Sequence, residues 1–232
     1  MAAAELSCPV LPLASGCSIP VLGLGTSHQG GYSHDAVVHA IQSCGIRHID
    51  TAKRYGCESL LQKAIKESGV KREDLWLTTK LWHSDYGYEN TQKACLESCE
   101  RLGVEYLDLY LIHWPDAQVP GKSNREVRAE TWRAMEELYE KGLCRSIGVS
   151  NFLISHLEQL KEDCVITPHV NQRDYFPAQA LGDSTHRIQD FSMYNPCQQA
   201  LLLRLNTTLS KGLKSWSIIV GAEILFLKAT VL

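Results

Sequence analysis

Short runs of dense or alternating apolar residues alternate along this chain with longer stretches whose apolar positions recur at helical spacing. Two extended runs within residues 7–20 flank Ala14-Ser15-Gly16 and predict a β-hairpin ahead of the main fold. A short strand follows over 21–26, with glycines at 23 and 25. Ser33 then caps a helix whose apolar face carries Ala36, Val37, Ala40, Ile41 and Cys44 and which stops at Gly45. A second helix shows Leu60, Leu61, Ala64 and Ile65 before Gly69, and a third shows Thr91, Cys95, Cys99 and Leu102 before Gly103. The fourth opens on the capping box Ser123-Asn124-Arg125-Glu126, buries Val127, Thr131, Met135 and Leu138, and ends at Gly142. Each of these glycines leads within a few residues into a strand, at 46–50, 75–80, 107–113 and 144–149. A fifth helix is expected from the capping pattern Ser155-His156-Leu157-Glu158, followed by an extended run over 165–171. Helices closed by glycine and followed by strands predict a parallel β/α architecture, with six strands and five helices by residue 172.

Past Arg173 the rhythm weakens. Residues 173–200 are rich in Gln, Asp, Ser, Asn and Pro without a clear period, and 198–210 fit a helix on Leu201, Leu202, Leu205 and Leu209. Residues 216–220 and 224–227 fit strands, although a buried helix suits the second run almost as well. The chain therefore divides into barrel units over 1–172 and a divergent tail over 173–232.

Composition narrows the class. With 23 Lys+Arg against 26 Asp+Glu, no basic stripe argues for nucleic acid and no acidic tail for a polycation. Nine scattered cysteines contain no Cys-x-x-Cys, so neither a zinc knuckle nor a thioredoxin-like pair is indicated, and free thiols in this number suit a reducing compartment. Cys95 and Cys99 share a helix face and read as small core residues rather than metal ligands. Pro9, Pro12 and Ser15 interrupt any signal-peptide core. Glu223 and Lys228 break the most apolar stretch, 216–232, below the length of a membrane helix. Asn206-Thr207-Thr208 matches a glycosylation acceptor only as a three-residue pattern. The expectation is a soluble, cytoplasmic protein with no nucleic-acid or membrane partner.

Three ionisable residues end three successive predicted strands. Asp50, Lys80 and His113 lie 30 and 33 residues apart, close to the period of a strand–helix–strand unit. Equivalent strand ends fall on one rim of a parallel sheet or barrel, where active sites assemble. Tyr55 adds a phenol five residues after Asp50. A lysine ammonium beside that phenol favours the phenolate, and a buried lysine needs the counter-charge that Asp50 supplies. The set suits proton donation to a carbonyl oxygen, with His113 orienting the carbonyl and hydride arriving from a cofactor. Taken singly, each has a plainer reading: a solvated lysine, a packed tyrosine, an aspartate capping the next helix. Their joint placement favours chemistry.

The runs His48-Ile49-Asp50-Thr51-Ala52-Lys53-Arg54-Tyr55-Gly56, Thr78-Thr79-Lys80-Leu81-Trp82, Leu107 to Pro115, Ile147-Gly148-Val149-Ser150-Asn151-Phe152 and Val170-Asn171-Gln172 resemble, in order, the motifs of the aldo-keto reductases over about residues 7–172. The resemblance implies a TIM (β/α)8-type barrel capped by an N-terminal hairpin, and NADPH-dependent reduction of aldehydes and ketones. It implies Tyr55 as proton donor, Asp50 and Lys80 as the pair that tunes it, and His113 as a substrate-positioning residue. Ser150, Asn151 and Gln172 match the family's nicotinamide-carboxamide residues, and Thr26 lies where the strand-1 loop approaches the cofactor. Trp82 and Trp114 are expected to line an apolar substrate mouth, or else to be core packing.

After Gln172 the motif-level resemblance stops. The family's strand-7 tyrosine, which stacks on nicotinamide, is not recognisable, nor are the strand-8 Lys-Ser pair and the Arg and Asn that follow it. Ser184 to Asp190 and Lys214-Ser215 echo the second segment without its flanks. An incomplete barrel is therefore expected, with strands 1 and 6 left as open edges, as in a variant of a longer reductase bearing an unrelated tail. The corresponding functional expectation is weak or absent NADPH binding. The rival reading is a catalytically inactive binding or regulatory module.

Overall fold

A computed structural model of the chain describes residues 9–27, 32–117, 119–172, 223–226 and 229–231, the last two segments by backbone alone. The hairpin pairs β1 (Val10–Pro12) with β2 (Ser18–Pro20). The barrel units follow as β3 (Leu22–Gly25), α1 (His34–Gln42), β4 (His48–Asp50), α2 (Glu58–Ser68), β5 (Trp76–Leu81) and α3 (Tyr88–Leu102). They continue with β6 (Leu109–Ile112), α4 (Asn124–Glu140), β7 (Ile147–Ser150), α5 (Ile154–Asp163) and β8 (Val170–Gln172). Neighbouring strands from β3 through β8 are parallel and adjacent in chain order, as the alternating pattern predicts.

The helix boundaries follow their punctuation. Gly69 and Gly103 take left-handed conformations at the ends of α2 and α3 and turn the chain toward the next strand. Ser123 and Glu126 form the predicted capping box of α4. The fifth helix departs from expectation. It begins at Ile154 rather than at a Ser155 cap, and the Leu153 N–H donates to His156 Nδ1, 3.2 Å away. The expected strand over 165–171 shortens to Val170–Gln172, while Val165 is exposed.

The sheet is strongly curled. β8 lies four strands from β4, about 19 Å away in a flat sheet at ~4.8 Å per strand, yet Gln172 Nε2 reaches Asp50 Oδ2 at 2.9 Å. Inside the curl, Trp76, Leu109, Leu111 and Val170 pack with Leu13 and Ile19, so the hairpin plugs the end of the cylinder where the strands begin. Outside it, Ile49, Leu77, Leu81, Tyr110, Ile112, Ile147 and Val149 pack against the helices. Gly148 permits the close approach of β7 to β8, because a Cβ there would lie 2.4 Å from the Val170 carbonyl oxygen.

The two edges of this parallel sheet do not stand open, as the sequence reading expected. β9 (Glu223–Phe226) pairs antiparallel with β3, and β10 (Ala229–Val231) pairs antiparallel with β8. One short segment thus meets both edges, and β9 overlaps the expected strand at 224–227. The helix expected at 198–210, the strand at 216–220, the glycosylation pattern at Asn206 and the two faint echoes at 184–190 and 214–215 lie outside the described residues.

Candidate active site

The rim at the C-terminal strand ends collects the predicted residues. Asp50 is the last residue of β4, Lys80 the penultimate residue of β5, and His113 directly follows β6. Side chains alternate across a strand, so Thr78 and Lys80 point into the cylinder. The intervening Thr79 points outward and donates to Glu58 of α2 at 2.7 Å. Lys80 is 1% exposed and donates from Nζ to Asp50 Oδ1 and, at 3.0 Å, to the Thr51 carbonyl. A buried ammonium requires such partners. Burial opposes its charge, but Asp50 and Tyr55 outweigh burial and hold the Lys80 pKa above its usual value.

Tyr55 closes a single 3-10 turn over Lys53–Tyr55, which Gly56 ends in a left-handed conformation. Its ring lies 5.2 Å from Lys80 Nζ and packs edge-on against His113 at 5.6 Å between centroids. The acidified phenol that the sequence suggested is corrected here. Burial is the largest influence on the Tyr55 pKa and, with the Asp50 charge, raises it despite the lowering by the Lys80 charge, the Lys80 hydrogen bond and the Ser27 hydroxyl. The phenol stays protonated at neutrality, as an acid must before it donates. His113 is held neutral, its pKa lowered to about 4 by burial first and then by Lys80, with Arg54 acting the same way.

The three proposed carboxamide residues form one cluster. Ser150 Oγ donates to the Gln172 carbonyl oxygen at 3.0 Å, and the Asn151 N–H donates to that same oxygen at 2.9 Å. Asn151 Nδ2 donates to the His113 carbonyl at 2.9 Å and to Ser150 Oγ at 3.1 Å. Asn151 holds a left-handed φ of 63°, a conformation that asparagine tolerates better than most residues. Thr26 is buried, and both its N–H and its Oγ1 donate to the Asp50 carbonyl, at 2.9 and 3.1 Å. Trp82 packs 5.2 Å from the His113 ring, while Trp114 is 46% exposed beside it. Tyr86 fixes Trp114 by donating its hydroxyl proton to the Trp114 carbonyl at 2.5 Å and accepting the Trp114 N–H at 3.2 Å.

All ten residues singled out from the sequence therefore lie at this rim. Ser27, Arg54 and Tyr86 also act on it and were not foreseen. Ser27 and Arg54 flank named residues, but nothing in their pattern marks them, and Tyr86 lies on the loop after β5.

The polar set fits one end of a nicotinamide coenzyme. Gln172 Nε2 carries a second hydrogen and Asn151 retains its amide oxygen, so the cluster has both a donor and an acceptor for a carboxamide. The family's phosphate-holding segments, not recognisable in the sequence after Gln172, are an expectation that lies outside the described residues.

A curled parallel β/α sheet thus carries a lysine–aspartate pair, a phenol and an imidazole together on its C-terminal rim, the arrangement of a β/α barrel with its polar site at the strand ends. The Aldo/keto reductase family profile matches residues 21–199, and the chain belongs to that family. The match starts after the hairpin and runs past Gln172, where recognisable motifs end. The chain is 48% identical to an uncharacterised oxidoreductase of Caenorhabditis elegans over 73% of its own length and 52% of that protein. It is 47% identical to a glyoxal reductase of Bacillus subtilis over 71% of its length and 57% of that protein. A crystal structure of a Bombyx mori aldo-keto reductase in complex with NADP superposes with a TM-score of 0.67 at 35% identity, covering 77% of this chain and 65% of that one. The chain spans about half the length of the curated relatives it matches.

Proposed function

We propose that this chain reduces small aldehydes or ketones to alcohols, with NADPH as hydride source and Tyr55 as proton donor. The single observation that carries this reading is geometric: the half-buried Tyr55 ring lies 5.2 Å from the Lys80 Nζ and edge-on to His113 at 5.6 Å. Bound coenzyme would supply the hydride. The carbonyl oxygen would sit where Tyr55 and His113 converge, so that negative charge developing there meets the phenol proton. Lys80, kept charged by Asp50, stabilises the phenolate that remains. Ser150, Asn151 and Gln172 would hold the carboxamide and so orient the nicotinamide face. Trp82 and Trp114 would give the mouth its apolar walls and keep water from the reacting carbon.

Every cysteine among the described residues is free, and no helix among them is long and apolar enough to cross a membrane. Free thiols fit a reducing cytoplasmic setting. The test is NADPH oxidation with a broad substrate such as 4-nitrobenzaldehyde. Tyr55→Phe should lower kcat by about 10²–10⁴-fold, the usual contribution of a positioned acid, without changing the urea midpoint. A Tyr55→Phe protein as active as wild type would refute the assignment. Wild-type protein that never oxidises NADPH would favour the rival reading, a binding module.

A further inference from the structure

Asp50 is gripped on both carboxylate oxygens. Oδ1 faces Lys80 Nζ, and Oδ2 accepts from Gln172 Nε2 at 2.9 Å. The second contact joins residues 122 positions apart and spans the mouth of the cylinder. Gln172 is itself anchored, because its carbonyl oxygen accepts from both Asn151 and Ser150. Asn151 is anchored in turn to the His113 carbonyl. The contacts therefore run in a closed circuit around the rim, from Tyr55 through Lys80, Asp50, Gln172, Asn151 and His113 back to Tyr55.

We propose that Gln172 is a positioning residue of the proton-donor system, holding Asp50 so that its carboxylate presents Oδ1 to Lys80 and half-quenching the charge that Asp50 projects onto Tyr55. This rests on reading Tyr55 as the acid and gives Gln172 a task separate from any contact with a carboxamide. Carboxylate charge left without its amide donor acts more strongly on its neighbours. The groups that face Tyr55 are Lys80 from β5, Asp50 from β4, His113 after β6, the adjoining Arg54 and the Ser27 hydroxyl. Of the ionisable ones, Asp50 alone is negative, so a less-quenched Asp50 makes the phenol harder to ionise.

The experiment reads Tyr55 directly by carbon-13 NMR of protein labelled at the tyrosine phenol carbon, with Tyr55→Phe identifying the signal. No coenzyme or substrate is present. Gln172→Met keeps length without a donor and should raise the Tyr55 midpoint by on the order of half a pH unit. Gln172→Glu sets a second carboxylate beside Oδ2 and should raise it at least as far. In an Asp50→Asn background the effect of Gln172→Met should vanish. Titrations that superimpose on wild type in both single variants, with urea midpoints unchanged, would overturn the proposal. So would a shift that persists without the Asp50 charge, since Gln172 would then act on the phenol directly. If Gln172→Met fails to fold, Gln172→Leu, likewise without a donor, takes its place in both backgrounds. Failure of NADPH oxidation with the Gln172 shift present would sink only the reductase reading; normal turnover with no shift would sink only this one.

Discussion

His48 offers a test of the barrel interior that needs no knowledge of substrate. Its ring is fully buried against Gly23, where a Cβ would come within 2.8 Å of Nδ1. The Pro20 carbonyl lies 3.1 Å from Nδ1 and can only accept, so Nδ1 carries the proton. Nε2 then accepts from the Thr78 hydroxyl at 3.1 Å, and Thr78 Oγ1 accepts from Trp76 Nε1 at 3.2 Å. A second proton on Nε2 would break that relay and leave a cation in the core. Burial first, with Lys80 assisting and Asp50 opposing, lowers the His48 pKa from 6.5 to about 4. The folded state thus resists a proton that the unfolded chain accepts. The stability tied to neutral His48 is fully present above pH 6.5 and is lost as pH falls toward 4. At ~1.4 kcal/mol per unit the loss amounts to about 3 kcal/mol. His48→Gln keeps a donor and an acceptor but cannot titrate. Urea melts followed by tryptophan fluorescence from pH 7 to 4 should show wild type losing about 3 kcal/mol more than the variant. His113 and His169 remain in both proteins and cancel. Parallel stability curves would refute the argument.

Asp50→Asn leaves Lys80 buried without its counter-charge and should cost about 3–5 kcal/mol in a urea melt, part of it recovered by adding Lys80→Met. An additive double mutant would contradict the pairing. Ser123→Ala removes the α4 capping box and should cost about 1 kcal/mol, measured by the same melts, while leaving the Tyr55 titration untouched.

Much of the architecture was legible because it is local. Gly69 and Gly103 mark helix ends through a conformation that other residues resist, and Ser123 with Glu126 marks a start, so the strand ends carrying Asp50, Lys80 and His113 could be counted off. The start of α5 was misplaced because a Ser-x-x-Glu pattern mimics a cap, whereas His156 serves a first turn capped at Leu153, two residues earlier. The acidity of Tyr55 was misjudged for a different reason. A nearby ammonium is visible in the sequence, but the burial that, with the Asp50 charge, outweighs it depends on the closed shape of the rim. The Gln172–Asp50 contact is likewise invisible until curvature brings β8 back to β4. Pairing of both sheet edges by residues 223–231 left only the trace of one apolar run at 224–227, since strand partners of such sequence separation are set by topology rather than local pattern.

That seam has a bearing on how the molecule is made. Leu22 must wait for Phe226, and Gln172 for Ala229, before either finds its partner. A ribosome emits every parallel strand long before it emits the clasp. In the interval the nascent sheet presents two bare borders to other chains, and slow elongation or a premature stop upstream of residue 223 would turn that delay into an opening for aggregation.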